Sequence, residues 1–180
     1  MIAESLLQGR KVRLRPVEEG DLPLFVRWLN DPEVRYWLAI SEDPELSIDS
    51  EQEWYEEMRG DLTRIVWVIQ TLEGRPIGDV ELRDIDETHG RAALGIAIGE
   101  KEYWSRGYST DAMRQVLRYA FEDMELRRVE LYTDEDNVRG IRCYEKCGFV
   151  REGLLRARRL RQGQPVNAVI MSVLREDWQA

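Results

Sequence analysis

The sequence contains few of the residues that catalytic triads and metal centres require. Its only histidine, His89, lies in the segment DETHGR, which is typical of a turn. Its two cysteines, Cys143 and Cys147, are four residues apart in a segment with helical character, and no cluster of cysteine or histidine accompanies them. We therefore predict two free thiols, no metal site and no histidine-based triad.

Long apolar runs are also missing. The longest run of apolar or small residues extends from Ala92 to Gly99, far short of the ~20 residues that a membrane-spanning helix needs. The N-terminal segment MIAESLLQGRK has a glutamate within its only apolar stretch and no small-residue cleavage site, so it does not resemble a secretory signal. The sequence predicts a cytoplasmic protein that has no membrane partner.

Positive charge is scarce relative to negative charge. The chain has 26 Lys and Arg against 35 Asp and Glu, a net charge of −9, which argues against non-specific binding to nucleic acid or to anionic membranes. Apolar residues make up 43% of the chain, enough for a hydrophobic core, and 180 residues suit one domain. We predict a single domain that spans residues 1–180.

The hydrophobic pattern predicts a mixed α and β fold. Three period-two segments joined by short turns predict an antiparallel meander, and the amphipathic helix after them predicts a parallel neighbour for the third strand. The predicted strands are 11–15, 64–72, 76–86, 91–99, 128–133, 151–160 and 166–174. The predicted helices are 18–30, which Asp31-Pro32 closes, 51–59, 110–124 and 137–147.

Residues 95–113, GIAIGEKEYWSRGYSTDAM, contain a strand, a glycine turn and the start of the most amphipathic helix. The first turn of a helix carries unpaired backbone N–H groups and the positive end of the helix dipole, which suit a phosphate group. Gly107 permits close approach to the backbone, and Arg106 adds a positive charge. The segment favours a polyphosphate ligand, and a simple helix cap is the alternative.

Residues 137–149, NVRGIRCYEKCGF, begin with a helix-capping asparagine and end with a helix-terminating glycine. Together with YWSRGYSTDAM and with the opening RKVRLRPVEEGDLPLFVRWLNDPEVRYW, this segment resembles the GNAT superfamily of acetyl-CoA-dependent N-acetyltransferases, and within it the RimJ/RimL-like branch. The three motifs follow the order and spacing of the family, and the resemblance covers most of the chain. It implies an α/β (α+β) single-domain acyltransferase fold, with a mixed and mostly antiparallel sheet of about seven strands flanked by helices. The sheet is expected to splay between its fourth and fifth strands to admit acetyl-CoA, and no metal is expected.

The resemblance also implies which residues bind acetyl-CoA. The pantetheine arm is expected along the last meander strand, and the pyrophosphate on backbone N–H groups of the following loop. This chain has Trp104 where the family has Gln or Arg, Ser109 where it has Gly or Ala, and Gly140 where it has Ser, so one hydroxyl contact is lost. The implied cofactor-binding residues are Ile96, Ala97, Ile98, Gly99, Trp104, Ser105, Arg106, Gly107, Tyr108, Ser109, Thr110 and Asn137.

For catalysis, the resemblance implies that Tyr144 is the general acid that protonates the departing CoA thiolate. An ordinary phenol pKa near 10 suits this leaving group, and a buried aromatic that closes the helix is the alternative. The attacking amine has a pKa of about 10 and is protonated at neutral pH, so the site also requires a base. We predict Glu81 as the base, with an exposed strand face as the alternative interpretation, and Glu100 as the reserve. Asp84 and Asp86 lie near a turn.

The charge pattern bears on the acceptor. Nine acidic residues and one arginine lie between Glu42 and Asp61, on the side of the family's fold that receives the acceptor. This acidic segment favours a cationic amine, and a solvated helix face is the alternative. The RimJ/RimL resemblance favours a protein or peptide N-terminal amine, similarity to spermidine acetyltransferases favours a polyamine, and amino-sugars and aminoglycosides remain open. A non-catalytic acetyl-CoA-binding or interaction module is the alternative function, and the branch implies a homodimer.

Overall fold

The period-two segments form one mixed sheet of eight strands in the computed structural model, which describes residues 7–178. The strand order is β1-β2-β3-β4-β5-β6-β8-β7, and within these residues only the β5–β6 pair is parallel. The strands are β1 (Leu7–Gln8), β2 (Val12–Pro16), β3 (Ile65–Thr71), β4 (Pro76–Asp86), β5 (Arg91–Ile98), β6 (Arg128–Asp134), β7 (Val150–Arg161) and β8 (Gln164–Leu174). The helices are α1 (Leu22–Leu29), α2 (Pro32–Leu38), α3 (Ile48–Gly60), α4 (Tyr108–Arg118), which a π-helical turn (Tyr119–Asp123) extends, and α5 (Val138–Lys146).

The sheet has one strand more than the seven that the sequence predicts. The additional strand, β1, is two residues long and pairs with β2, with Leu7 opposite Leu14. Two residues are too few to produce a period-two pattern, so the sequence did not reveal this strand. The rest of the predicted architecture, a mixed and mostly antiparallel sheet with flanking helices, is confirmed.

The dipeptide Asp31-Pro32 has a second role that the sequence analysis missed. α1 ends before it, as predicted, but the same two residues also begin α2. The Asp31 side chain accepts hydrogen bonds from the N–H groups of Glu33 and Val34, and Pro32 occupies the first helical turn, where its missing N–H costs nothing. α2 forms part of the wall of the cleft that is described below.

β5 and β6 pair over only three residues of each strand. The parallel register begins with Arg91 opposite Arg128 and ends with Ala93 opposite Glu130. Beyond this point both strands continue without pairing with each other, while β6 remains paired with β8 along its other edge. The sheet therefore opens into a cleft. The splay predicted between the fourth and fifth of the seven expected strands is confirmed, and those strands are β5 and β6.

Two apolar clusters cover the two faces of the sheet. α4 and α5 pack on one face, where Trp67 and Met113 are fully buried. α1 and α3 pack on the other face, where Trp28 lies with Val66 and Val68. Successive strand residues point to opposite faces, which is why neighbouring residues of β3 belong to different clusters. None of the helices within residues 7–178 combines the length and the apolar content needed to cross a membrane.

Candidate active site

The splayed edges of β5 and β6 enclose a cleft of about 720 Å³. Its walls also include α2, the first turn of α4 and one face of α5. Most of the sequence-predicted cofactor residues and Tyr144 line it. A second depression, of about 820 Å³, is lined by His89 and several arginines at the end of the sheet where β5 and β6 are still paired, and it contains none of the predicted residues. The cleft between β5 and β6 is therefore the candidate active site, because it contains Tyr144 and most of the predicted cofactor residues.

The β5 strand forms one wall of this cleft. Ile96, Ala97 and Ile98 line it, together with Leu94 and Gly95. No strand pairs with this edge of β5 beyond its third residue in the described part of the chain, so backbone groups there face the cleft. An extended amide-containing chain such as pantetheine would complete the pairing that β6 leaves open.

Gly99 lies outside the cleft, unlike the three residues before it. Its N–H donates to the carbonyl of Ile77 at 2.9 Å, which pairs it with β4. A Cβ atom at this position would lie 2.0 Å from the ring of Trp28. The absence of a side chain therefore allows α1 to pack closely on the end of β5, and Gly99 has a packing role.

The glycine turn before α4 has the conformation that the sequence predicts. Gly107 caps α4 with φ +84°, in the left-handed region that favours glycine. Ser105, Ser109 and Thr110 line the cleft with it. The unpaired N–H groups of the first helical turn are thus available to an anion in the cleft.

The side chains of Arg106 and Tyr108 do not line the cleft. Arg106 is exposed to solvent. Tyr108 packs edge-on against Tyr103, with ring centroids 5.0 Å apart, and Lys11 lies over its ring at 5.3 Å. These two positions contribute to the loop through their backbone.

Trp104 takes part in an aromatic and cationic stack across the mouth of the cleft. Its indole N–H donates to the carbonyl of Ile98 at 2.6 Å, which fixes the ring against the end of β5. The guanidinium of Arg139 lies 4.0 Å from the Trp104 ring centroid and 5.6 Å from that of Trp37. This Trp37–Arg139–Trp104 stack joins α2, α5 and the loop after β5 by cation–π interactions. At the position where the family has Gln or Arg, this chain therefore has Trp104, and the Trp104 ring positions Arg139.

Sequence reasoning missed the basic side of the cleft. Arg139, Arg142 and Lys146, all on α5, line the cleft, and none of them forms an ion pair within residues 7–178. Their spacing of three or four residues places them on one helix face, a signal that was present in the sequence. In a protein with net charge −9, this group of cations favours the phosphates of a nucleotide cofactor.

Asn137 holds the start of α5 at the cleft. Its Oδ1 accepts a hydrogen bond from the Gly140 N–H at 3.0 Å, and its Nδ2 donates to Thr133 Oγ1 at 3.0 Å. A Cβ atom on Gly140 would lie 2.6 Å from Nδ2. The glycine that replaces the family's serine therefore makes room for the asparagine cap, which ties α5 to β6.

Tyr144 lines the cleft beside Thr133. Burial raises the pKa of Tyr144 to about 12, and the negative charge of the Cys143 thiolate contributes to the same shift. The ring packs on Phe149 with centroids 6.2 Å apart. The phenol thus stays protonated at neutral pH and presents a proton donor to the cleft.

A thiol lies next to this phenol. Cys143 lines the cleft, with Sγ 3.3 Å from Thr110 Oγ1. The neighbouring Cys147 thiol and the Thr110 hydroxyl lower the pKa of Cys143, against the effect of burial. Both thiols are free, as the sequence predicts.

The predicted base, Glu81, lies against the wall of the cleft. A Cβ atom on Gly95, which lines the cleft, would be 2.8 Å from Glu81 Oε1, so the missing side chain leaves room for the carboxylate. Arg83 donates to Oε1 at 2.6 Å, and Arg64 Nε lies 3.7 Å from Oε2. Glu81 therefore packs behind Gly95 without lining the cleft itself, and its oxygens are engaged by two guanidinium groups.

The reserve candidate for the base, Glu100, makes contacts that hold the fold together. It accepts a hydrogen bond from the Trp28 indole N–H at 2.8 Å, forms an ion pair with Arg27 and lies 3.5 Å from Arg75. It ties α1 to the loop after β5 and does not line the cleft.

Two further carboxylates near Glu81 were not singled out by sequence reasoning. Asp79 lies on β4 two residues before Glu81, on the same face of the sheet. Burial and the charges of Glu81 and Glu51 raise the pKa of Asp79 to about 8. Glu51 lies on α3 and is 5% exposed, and burial raises its pKa as well. The signal that could have identified Glu51 is its position on the buried side of α3. No group of three or more metal-ligating side chains occurs within the described residues.

Comparison with known proteins identifies this architecture. Residues 11–150 match the acetyltransferase (GNAT) domain family. The chain belongs to this family. The GNAT chain is 31% identical over 173 residues to the spermidine N(1)-acetyltransferase of Escherichia coli K12, covering 96% of this chain and 90% of that protein. It is 23% identical over 177 residues to the uncharacterized N-acetyltransferase p20 of Bacillus licheniformis, covering 96% and 97% of the two chains.

A solved structure supports the same assignment. The spermidine N-acetyltransferase of Vibrio cholerae in complex with CoA and spermine superimposes with a TM-score of 0.86 at 27% identity, covering 92% of this chain and 96% of that one. The GNAT chain is thus an N-acetyltransferase that uses acetyl-CoA to acetylate an amine, as the resemblance predicts. The cleft fits this donor, because it combines an unpaired strand edge, a helix N-terminus and three unpaired cations.

Proposed function

We propose that this enzyme acetylates a small cationic amine of the polyamine class. The observation that carries the proposal is the free charge of the acidic segment, residues 42–61, which follows α2 along the chain. Of its nine acidic residues, Glu56 alone forms an ion pair within the described chain, with Arg59 at 4.0 Å. Such unneutralised charge attracts a polycation and disfavours an anionic acceptor. The printed activities of the E. coli and V. cholerae relatives support the same class.

In this proposal the two ends of the cleft bind the two parts of acetyl-CoA. The pantetheine arm pairs with β5 at Ile96, Ala97 and Ile98, whose open edge needs a partner. The phosphates bind the first turn of α4, and the cations of α5 neutralise them. The contacting residues are Trp104, Ser105, Gly107, Ser109, Thr110, Asn137, Arg139, Arg142 and Lys146. We revise Gly99, Arg106 and Tyr108 to supporting roles, because their side-chain positions face away from the cleft.

We propose Tyr144 as the general acid. The neutral amine attacks the acetyl carbonyl carbon, a new N–C bond forms and the C–S bond to CoA breaks. Tyr144 transfers its phenolic proton to the departing sulfur, the newly acylated nitrogen releases its second proton to solvent, and the Tyr144 phenolate takes up one proton from solvent in return. With its pKa raised to about 12, the phenol is fully protonated at the start of each turnover.

We propose Glu81 as the group that receives the proton of the attacking ammonium, directly or through one water. Its carboxylate packs against Gly95, which lines the cleft, so a short proton path through one water supports the proposal. Arg83 orients Oε1 at 2.6 Å and also lines the cleft, so the pair acts as one unit. The proton then passes to solvent, and the acetylated amine leaves as a neutral amide.

A peptide N-terminal amine is the second candidate acceptor, and it would fit the RimJ/RimL-like branch. We propose a cytoplasmic enzyme, since both cysteines are free thiols that oxidising compartments disfavour. We also propose a homodimer. On the face of β6, β7 and β8 opposite α5, Val150 is 63% exposed, which leaves apolar surface for a second copy.

Release of CoA thiol from acetyl-CoA tests the proposed function. The panel is spermidine, a peptide with an N-terminal alanine, glucosamine and an aminoglycoside. We expect spermidine to give the highest kcat/KM. A higher kcat/KM for the peptide would place the enzyme with the N-terminal acetyltransferases. Binding of acetyl-CoA without turnover of any amine would support the non-catalytic module.

A further inference from the structure

The hairpin of β7 and β8 contacts α2 beyond the end of β6. Arg161, the last residue of β7, places its guanidinium 4.3 Å from the centroid of the Tyr36 ring on α2. In the hairpin turn, the Gly163 N–H donates to Glu42 Oε1 at 3.2 Å, in the loop that follows α2. Two separate contacts therefore join the hairpin to α2 and its loop. The mechanism proposed above uses none of these residues.

Arg161 is held rigidly by two carboxylates. It is 8% exposed, and its Nη1 donates to Asp134 Oδ2 at 2.9 Å. Asp136 accepts from Nη1 at 3.0 Å and from Nη2 at 2.5 Å. Asp134 is 1% exposed, and its other oxygen accepts from Arg159 Nε at 2.7 Å. The Arg161 guanidinium therefore cannot move without breaking charge-assisted hydrogen bonds.

α2 is too short to hold its own position. It has seven residues, whereas isolated helices shorter than about 12 residues are marginal in water. Its place beside the cleft therefore depends on the side chains that contact it. Arg35 supplies one anchor, because its guanidinium donates to the carbonyls of Leu29 and Ile40 at 3.1 and 2.7 Å. The contact with β7 supplies another.

The ring that Arg161 contacts is next to a residue of the cleft wall. Trp37 and Leu38 line the cleft. Tyr36 packs edge-on against Trp37, with ring centroids 4.9 Å apart and an angle of 85° between the planes, a favourable geometry for an aromatic pair. A continuous series of contacts therefore leads from the buried carboxylates of the hairpin to the wall of the cleft.

The α2 wall is left to the acceptor in the proposed arrangement of acetyl-CoA. The proposed cofactor residues lie on β5, the loop after it, the first turn of α4 and α5. α2 instead follows α1, which packs on the face of the sheet opposite α4 and α5. A shift of α2 would displace Trp37 and Leu38, whereas Trp104 would still hold Arg139 at 4.0 Å.

We propose that Arg161 is a positioning residue for the acceptor: through Tyr36, it holds α2 so that Trp37 and Leu38 form the wall against which the amine binds. The cation–π contact transmits the position, because it requires both a ring at residue 36 and a fixed cation beside it. This inference rests on the proposed placement of acetyl-CoA. It goes beyond the proposed acceptor class, since it applies to any small amine.

The test measures KM for spermidine and KM for acetyl-CoA. Tyr36→Leu removes the ring, and Tyr36→Phe keeps it. The control Tyr55→Leu removes a half-buried ring of α3 that lies 5.7 Å from the Arg59 guanidinium and does not line the cleft. For Tyr36→Leu we expect KM for spermidine to rise about 3- to 30-fold, as for loss of a cation–π interaction, and KM for acetyl-CoA to change less than about 2-fold. Tyr36→Phe and the control should change both values less than about 2-fold.

A double variant shows whether Arg161 acts through Tyr36. If it does, Arg161→Gln combined with Tyr36→Leu raises KM for spermidine no further than the larger single change, and additive effects would overturn the inference. Equal rises in both KM values, equal effects of Tyr36→Leu and Tyr55→Leu, or no recovery in Tyr36→Phe would also overturn it. The three tyrosine variants decide the inference alone if Arg161→Gln does not fold.

The outcomes separate this inference from the proposed function. If the parent enzyme does not acetylate spermidine, the polyamine proposal fails, and the variants are compared on the amine that the parent acetylates fastest. If no amine is acetylated, amide hydrogen exchange of residues 32–38 decides the inference. We expect faster exchange in Tyr36→Leu than in the parent and in Tyr36→Phe, and equal exchange in all three would overturn it.

Discussion

The Tyr144 hydroxyl is the residue on which the chemistry of the cleft depends most. Replacement by phenylalanine removes the proton donor and leaves the packing of the ring on Phe149 in place. We expect Tyr144→Phe to lower kcat by about 100- to 10,000-fold, the range for loss of a general acid, with little change in acetyl-CoA affinity. Steady-state CoA release and calorimetric binding measure the two quantities. Full turnover by the variant would rule out the acid role.

Gly95 tests the role of Glu81 without removing its charge. A Cβ atom at this position would lie 2.8 Å from Glu81 Oε1 and 3.1 Å from Arg83 Nη1, so Gly95→Ala must displace the ion pair. We expect kcat to fall by about 10-fold or more while KM for acetyl-CoA changes little, because misplacement of a catalytic group affects the reaction step. Gly20→Ala is the matched control, since nothing lies within 4 Å of its Cβ position. Equal kinetics for the two variants would argue against a role for the pair.

Asp79 makes the stability of the enzyme depend on pH. Burial and the negative charges of Glu81 and Glu51 raise the pKa of Asp79 from an ordinary value of 3.8 to about 8, and Arg83 is paired with Glu81. Between these values the folded state binds more protons than the unfolded state, so stability falls as pH rises from about 4 to about 8. We expect Asp79→Asn to raise the thermal unfolding midpoint more at pH 8 than at pH 5. An equal shift at both pH values would contradict the raised pKa.

At the scale of elements, the Trp37–Arg139–Trp104 stack connects α2, α5 and the loop after β5. Loss of its cation removes this link and the phosphate contact that we propose for Arg139. We expect Arg139→Ala to raise KM for acetyl-CoA by about 10-fold or more, and Arg139→Lys to recover part of this loss, because the charge returns without the planar stack.

Arg158→Ala is the control for this experiment. Arg158 is exposed, and its replacement by alanine also removes one positive charge. Steady-state kinetics at varied acetyl-CoA concentration gives the KM values. A similar KM change in the Arg158 variant would show that the total charge, rather than the stack, is responsible.

Local signals explain which elements could be predicted from the sequence. The meander strands, the glycine turn at Gly107 and the amphipathic helix α4 depend on residues that are near one another in the chain, and their patterns were sufficient. α2 was missed because seven residues hold few helical repeats, and Asp31-Pro32 is typical both of a helix end and of a helix start. β1 was missed because it exists only through pairing with β2.

The candidate site was only partly predictable for a related reason. Tyr144 and the loop 104–110 lie in recognisable motifs, and the structure brings them to one cleft. The contact of Arg139 with Trp104 and the packing of Glu81 against Gly95 each join residues that are distant in sequence. Such pairs depend on strand register and helix packing, which the hydrophobic pattern of a single sequence does not determine.

At the scale of the whole molecule, the lining of the cleft is basic, and the acidic segment 42–61 lies outside that lining. We propose that Arg139, Arg142 and Lys146 bind the cofactor phosphates and that the acidic segment attracts the acceptor. We expect KM for spermidine to rise as sodium chloride increases from about 50 to about 300 mM, because salt screens the attraction between exposed charges. KM for butylamine should rise less, because it carries one charge. Equal salt dependence for the two amines would contradict electrostatic recognition of a polycation.

The central claim is that this cleft transfers acetyl from acetyl-CoA to a polyamine with Tyr144 as the acid. The most direct test incubates the enzyme with acetyl-CoA and spermidine and measures CoA thiol and acetylated spermidine together, the latter by mass spectrometry. We expect one acetylspermidine for each CoA released, and a rate that falls by about 100-fold or more in Tyr144→Phe. CoA release without acetylspermidine, or equal rates for the parent and the variant, would contradict it.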